Sequence, residues 1–459
     1  MSGATTPNKE AVIPEFKQIM GHPSPLWMLF MTEFWERFAF YGVRWALVLY
    51  IVAQFHGGDG SGQAAANLTY GSFLALVYAG ALFGGYIADR VIGYQRSILL
   101  GAVFMAAGLF CISVPNQDIF NLGLATMIVG NGMFKPNIST MVGKLYTTAD
   151  PRRDSGFTIF YMGINMGAMV APVFTQWLAE SIFGTSAMPS YKMVFMASGF
   201  GMLISLVWFA IGRRALKGIG APEAGSGNPM RVVWVAVGSL CVIPLMYFLL
   251  TVGAEKLQIV LTVLFVGLAV MLMIEGIRNG KVARDRVIAM LLIFVFNILF
   301  WMFFEQAGSS FTFLADKIVN RDLGFWIFPT AYFQTVNSVA IIVFAPIIAA
   351  IWVFLARHNV NPSIPRKFGL GLLGNALAFG LLIFALSSLV GLGMGGWFLS
   401  TGIGNNLSGI FASHVSGTSG MSVQSALSGY TFGFWSLLGA GVVLFLIAPL
   451  INKLMHGVK

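Results

Sequence analysis

The stretch Thr32 to Trp45, TEFWERFAFYGVRW, sets Glu33, Glu36, Arg37 and Arg44 inside a long apolar run. On a helix, Glu33, Glu36, Arg37, Phe40, Tyr41 and Arg44 gather on one face within an arc of about 140°. Phe34, Trp35, Phe38, Gly42, Val43 and Trp45 cover the remainder. Two more charges lie deep in apolar segments, Lys135 in GNGMFKPNIS and Glu305 in FWMFFEQAGSS. Glu33, Glu36 and Glu305 thus balance Arg37, Arg44 and Lys135. An unpaired charge at mid-membrane costs at least about 2.5 kcal/mol, and a matched set suits a shared polar cavity. Simple snorkelling does not account for it, because Glu33 and Arg44 are about 16 Å apart along a helix axis and one interface cannot serve both. The chemistry available is proton loading: apolar surroundings disfavour an ionised carboxylate, a neighbouring cation favours it, and a change of partner therefore moves a proton.

Other chemistries find less support. Gly130-x-Gly132-x-x-Lys135 superficially resembles a phosphate loop, but no strand precedes it and no Lys-Ser/Thr pair closes it. Pro136 instead interrupts the backbone ladder next to Lys135, as happens in membrane helices whose freed carbonyls find other partners. A purely structural ion pair is the competing role for Lys135. His22, His56, His358, His414 and His456 lack metal-ligand spacing, and no serine lies in a nucleophile elbow. Neither an enzyme nor a metal site is expected.

The elements that must hold these charges are membrane spans. The 459 residues are 57% hydrophobic and 10% charged with a mean hydropathy of +0.80, outside the range of soluble domains. An all-α polytopic membrane protein follows, with spans near 26–54, 67–88, 97–115, 119–143, 155–182, 191–212, 231–252, 257–277, 285–308, 329–355, 367–390, 394–415 and 429–455, thirteen in all. Loops after even-numbered spans hold 16 Lys and Arg residues and loops after odd-numbered ones hold four, so the N-terminus is expected in the cytoplasm. That bias also explains the net charge of +10 without nucleic acid. Cys111 and Cys241 lie within spans and are expected to be packing residues, and no cleaved targeting segment is expected at the N-terminus.

The motifs resemble the proton-coupled oligopeptide transporter family of the major facilitator superfamily, in its bacterial form. Glu33, Glu36, Arg37, Phe38 and Tyr41 spell the family's E-x-x-E-R-F-x-Y-Y, with Phe40 in place of the first tyrosine. Gly21 to Pro23 (GHP), Gly84 to Arg96 (GGYIADRVIGYQR), Lys135 to Asn137 (KPN), Phe157 to Met169 (FTIFYMGINMGAM) and Gly393 to Asn405 (GMGGWFLSTGIGN) resemble further family signatures. Within them Gly85, Asp89 and Arg90 resemble the superfamily's cytoplasmic-loop motif. The resemblance implies a major facilitator fold: a cytoplasmic tail over 1–24, a six-helix bundle over 25–215, a linker with an inserted helix pair over 216–282, and a second bundle over 283–459. It implies a monomeric symporter in the bacterial inner membrane that takes up di- and tripeptides with protons and needs no cofactor beyond the proton gradient. Glu33, Glu36, Arg37, Lys135 and Glu305 would couple protons, Lys135 trading partners between the first three and Glu305. Arg44 and Lys135 would hold the peptide carboxylate, and Asn165 and Asn337 its backbone and amino end. Phe40, Tyr41, Tyr78, Trp301 and Trp397 would line the substrate site.

One departure stands out. The family has fourteen helices, and here the segment resembling the ninth core helix, Lys367 to Val390, passes through Gly391 to Gly396 directly into what resembles the eleventh. The tenth, whose glutamate is thought to receive the peptide's ammonium, has no counterpart. A loss of about 45 residues, one span with its loops, an impaired variant and a compensating topology each fit. The alternatives to peptide symport are accordingly a receptor-like or transport-impaired relative and a symporter of another small solute such as an anion. An absent helix is also expected to leave Asn375, Asn405 and Asn406 facing lipid.

Overall fold

A computed structural model describes residues 13–147, 149–222, 228–388, 412 and 421–455. The chain begins with a minimal antiparallel hairpin, β1 (Gln18–Ile19) and β2 (His22–Pro23), turned by Met20 and Gly21 at positive φ. Pro25 opens α1 (Ser24–Phe55), where its missing N–H costs nothing. There follow α2 (Gly62–Ile87), prolonged by a π-helical turn over Ala88–Ile92, then α3 (Tyr94–Cys111), α4 (Gln117–Gly143), α5 (Arg153–Trp177) and α6 (Tyr191–Gly212). Next come α7 (Pro229–Thr251), α8 (Ala254–Arg278), α9 (Lys281–Phe304), the short α10 (Ser310–Lys317), α11 (Tyr332–Arg357), α12 (Ile364–Ser388) and α13 (Val423–Leu454).

Eleven of these helical segments are long and apolar enough to cross a membrane among the described residues. The α4 helix is equally long but less apolar, since Asn131, Lys135 and Asn137 punctuate it. Twelve of the thirteen expected spans are therefore helices here, and the segment 394–415 lies, apart from residue 412, outside the described residues. The expected span 285–308 is corrected: its helix stops at Phe304, a 3₁₀ turn covers Glu305–Gly308, and α10 resumes after Ser309. Asn375 is corrected too. It is 9% exposed, turned into the protein rather than toward lipid; Asn405 and Asn406 are outside the described residues.

Packing divides the chain around two cores. In the first, α1 lies against α5 and α6, α2 lies on α4, and α3 pairs with α4, with Trp45, Phe134 and Phe195 fully buried between them. In the second, α12 pairs with α13 and both meet α9 around Phe303, Phe379 and Tyr430. The α7–α8 hairpin rests on α4 and α2. Small residues set the closest approaches in the first core. A methyl group on Gly101 would meet the Gly130 carbonyl at 2.6 Å, and one on Gly108 would meet that of Gly123 at 2.6 Å, so α3 and α4 touch backbone to backbone.

Contacts between the two halves close the end at which α1 finishes. The Gln63 side chain accepts from the Met421 amide (2.8 Å), Gln176 Oε1 accepts from the Ala331 amide (2.6 Å), and the Asn67 amide donates to the Ala412 carbonyl (2.9 Å). Slightly deeper, Thr335 on α11 donates to the Met169 carbonyl on α5 (3.1 Å). At the opposite end Arg152 clasps the N-terminal hairpin, donating to Gln18 Oε1 and to the Gly21 carbonyl, both at 3.0 Å.

Candidate functional site

The rotation of α1 decides where its charges point. Gly163 and Gly167, one turn apart on α5, let the α1 backbone approach so closely that a methyl on Gly163 would lie 3.0 Å from the Phe30 carbonyl, and one on Gly167 would press on that of Phe34. Trp45 Nε1 donates to Thr175 Oγ1 at 3.0 Å, and Ser205 donates to the Thr32 carbonyl at 2.7 Å. These contacts fix the aromatic side of α1 and turn its charged side inward. Glu33 is 1% exposed and Glu36 is fully buried, which rules out snorkelling.

The six charges resolve into three groups. In the first, Arg37 forms a two-pronged pair with Glu36, through Nε to Oε2 and through Nη2 to Oε1 at 2.5 Å, and its Nε also lies 3.3 Å from Glu33 Oε1. Asn131 donates to Glu36 Oε1 at 3.4 Å. Glu33 Oε2 is buried without a hydrogen bond among the described residues. The Phe40 ring sits 5.0 Å from the Arg37 guanidinium, so the residue that departs from the family motif keeps the π face that a cation uses.

The second group joins the halves. Arg44 Nη2 donates to Glu305 Oε2 at 2.5 Å, its Nε donates to the Tyr70 hydroxyl at 2.9 Å, and its guanidinium lies 5.4 Å from the Tyr41 ring. Glu305 reaches Arg44 because the α9 helix breaks there. Such a break inside a membrane domain requires new partners for its backbone, and side chains supply them: Thr312 Oγ1 donates to the Ala307 carbonyl (3.0 Å), Gln334 donates to the same oxygen, and Gln306 Nε2 donates to the Met302 carbonyl (2.9 Å). Gly308 completes the approach, for a methyl group there would run into the Tyr70 hydroxyl. Trp301 is buried beside this break against Phe300 and Phe304, its indole N–H without a hydrogen-bond partner among the described residues.

The third group is Lys135, whose ammonium donates to the Tyr78 hydroxyl at 3.2 Å and lies 4.5 Å from that ring's centroid. It feels the charges of Arg37, Glu36 and Glu33, and so faces the first group. In this conformation Glu305 is paired with Arg44 rather than with Lys135. The α4 helix runs continuously past Pro136, and just before it the Met133 carbonyl accepts from Ser97 Oγ (3.1 Å) and from Asn137 Nδ2 (2.6 Å).

Of the remaining expected site residues, Asn165 is buried and donates to the Tyr161 carbonyl of its own helix at 2.9 Å. Asn337, on α11, has a buried Oδ1 without a hydrogen-bond partner among the described residues. Gly85, Asp89 and Arg90 lie apart from the charges at the far end of α2, where Asp89 accepts from the Tyr94 hydroxyl. Trp397 is outside the described residues. Tyr70 and Asn131 are site residues that pattern reading passed over, although Tyr70 lies two turns from Tyr78 on one face of α2, and Asn131 one turn before Lys135. At the end held by Arg152, the guanidinium's hydrogen bonds hold the Asp150 carboxyl below the usual range, and burial pushes the Tyr146 hydroxyl up to about 12.

A many-helix membrane domain whose two halves meet over a buried ion pair defines a polytopic transporter. Residues 95–402 match the model of the POT family, and the chain belongs to that family. It is 32% identical to the uncharacterized transporter YclF of Bacillus subtilis over 390 residues, covering 82% of this chain and 77% of that protein. Identity is also 32% to the peptide transporter YePEPT of Yersinia enterocolitica (83% and 78% covered) and to the dipeptide and tripeptide permease B of Salmonella typhimurium (79% and 72% covered). The fold is similar to the crystal structure of the peptide transporter POT in complex with sulfate, with a TM-score of 0.76 at 28% identity over 96% of this chain and 97% of that one. Tetrameric PepTSo2 gives a TM-score of 0.76 at 25% identity over 95% and 99%.

Proposed function

We propose that the protein imports di- and tripeptides together with protons by alternating access, with its N-terminus in the cytoplasm of a bacterial cell and the gradient across the inner membrane as its only energy source. The observation that carries this reading is the buried Arg44–Glu305 pair, which ties the two halves together beside the end they close. Protonation of Glu305 would remove the charge that holds Arg44, loosen that end and free the guanidinium for a peptide carboxylate. Glu33 Oε2, buried beside the Arg37–Glu36 pair and without a hydrogen bond among the described residues, supports a second protonation site, with Lys135 as the cation that would change partners. Asn165, Asn337 and the rings of Phe40, Tyr41, Tyr78, Trp301 and Trp397 are assigned to the peptide, and the cytoplasmic-loop residues Gly85, Asp89 and Arg90 to the hinge between α2 and α3. The division into bundles over 25–215 and 283–459 with the inserted pair between them is part of the same reading. So are action as a single chain and the absence of covalent catalysis.

The names of the relatives support peptides as the substrate class. The test is uptake of labelled dialanine into proteoliposomes under an inward proton gradient, with unlabelled dipeptide and nitrate as competitors. Gradient-driven uptake displaced by dipeptide is expected; displacement by nitrate alone would overturn the peptide assignment. The missing counterpart of the tenth core helix favours a second reading, a receptor-like relative, which would show calorimetric peptide binding without uptake.

A further inference from the structure

At the closed end, outside the Arg44–Glu305 pair, lies a separate cavity of about 930 Å³ between the end of α1, the end of α5, the start of α6 and α10 with the loop after it. Its apolar lining includes Leu49, Met188, Tyr191 and Ile327, of which Met188 and Ile327 are well exposed. Its charges are divided between the two halves. On one side are Glu180 and Lys192; Glu180 takes a hydrogen bond from Gln176 Nε2 at 2.7 Å and forms no ion pair among the described residues. On the other, Asp316 lies 3.0 Å from Lys317 and 3.8 Å from Arg321, so one carboxylate is shared by two cations and that wall keeps a positive surplus. Arg321 and Asp316 are the charges that act on Glu180 across the space.

A carboxylate that forms no ion pair among the described residues, facing a wall with surplus cations across a partly apolar lining, is complementary to a small zwitterion with an ammonium at one end and a carboxylate at the other. We propose that this vestibule is a second peptide-binding site, occupied from outside while the Arg44–Glu305 end is closed, with Glu180 receiving the ammonium and Arg321 and Lys317 the carboxylate. The inference rests on the peptide-transport reading and its orientation. The vestibule also has a hold on the closure. Gln176 donates to Glu180 with one end of its amide and accepts from the Ala331 amide of the facing half with the other. An ammonium that engages Glu180 therefore competes with Gln176 and loosens the bond to Ala331.

The experiment compares the wild type with Glu180→Gln, Arg321→Gln and Lys317→Gln in oriented proteoliposomes, measuring KM and kcat for dialanine both for uptake and for efflux. The expected result is an uptake KM raised about three- to fivefold, the size of one partly exposed charged contact, with the uptake kcat and the efflux KM unchanged and the efflux kcat lowered by the same factor, as the unchanged transport equilibrium requires. Glu180→Gln retains an acceptor for Gln176, so its fold is protected. N-acetylated dialanine, which has no ammonium, should lose to the free peptide for uptake by the wild type and lose less for Glu180→Gln. Unchanged uptake KM in all three variants, or equal shifts in both directions, would overturn the vestibule while leaving peptide transport intact. Absence of dialanine uptake by the wild type would overturn both.

Discussion

Arg44 and Glu305, 261 residues apart in the chain, share a hydrogen bond of 2.5 Å with both side chains nearly excluded from solvent. They are the point at which α1 meets the break after α9. Removing one partner of a buried pair leaves the other charge uncompensated, a loss of about 3 to 5 kcal/mol, whereas placing a proton on the carboxylate achieves the same release reversibly.

Glu305→Gln mimics the protonated carboxyl without moving its atoms. It should abolish gradient-driven uptake of dialanine while sparing counterflow exchange, because only net uptake requires the proton to leave. Glu36→Gln should behave alike through the Arg37 pair. Side-by-side uptake and counterflow rates settle the matter; an equal fall in both would mean that these carboxylates serve structure alone.

Gly308 is set against Tyr70, so Gly308→Ala should force the Tyr70 hydroxyl away from Arg44 and weaken the closed end. Overpacking of this kind costs about 1 to 3 kcal/mol. A lowered thermal unfolding temperature in detergent is expected, with partial recovery in the double variant Gly308→Ala/Tyr70→Phe, where the nearest colliding atom is gone but the ring carbon Cζ remains close. Strictly additive losses would contradict the contact.

At Phe40 the ring face, rather than a hydroxyl, engages Arg37 at 5.0 Å. Phe40→Leu should therefore lose about 1 to 2 kcal/mol of stability, and Phe40→Tyr should lose far less while changing the ratio of dipeptide to tripeptide uptake. Unfolding curves and competition between dialanine and trialanine measure the two effects separately. Equal stability losses for both substitutions would refute the ring contact.

The hairpin clasp at the other end makes a prediction about pH. Arg152 holds the Asp150 carboxyl below its ordinary value, so the clasp's contribution is fully present above the unfolded carboxylate range of about 4 and is lost as pH falls through the depressed folded value. Across the mildly acidic range in which a proton gradient operates it stays ionised. Asp150→Asn should accordingly leave the shape of the uptake profile from about pH 5 to 8 unchanged. A shifted midpoint would assign Asp150 to proton coupling.

The buried charges could be read from the chain because a charge inside an apolar run has few explanations, and Glu33, Glu36 and Arg37 already shared a helical face. Their partnerships could not. Whether Glu305 meets Arg44 or Lys135 depends on how the two halves are tilted, which no local pattern encodes. Tyr70 escaped because a tyrosine in an apolar span reads as packing, and the break after Phe304 escaped because Gly308, Ser309 and Ser310 sit within a run hydropathic enough to continue. The Arg152 clasp escaped for a different reason: its acceptors include a main-chain carbonyl, which has no signature in the sequence.

The backbone contact of α3 with α4 limits how Lys135 can change partners. With Gly101 against Gly130 and Gly108 against Gly123, the two helices form a truss, and sliding one along its axis would drive each α carbon into the other's carbonyls. Lys135, five residues beyond Gly130, is thus mounted on a stiff frame. It can reach a new carboxylate by swinging its own flexible stem or by being carried bodily with the whole first half, and a bulky residue introduced into the seam should jam the second route while leaving the first free.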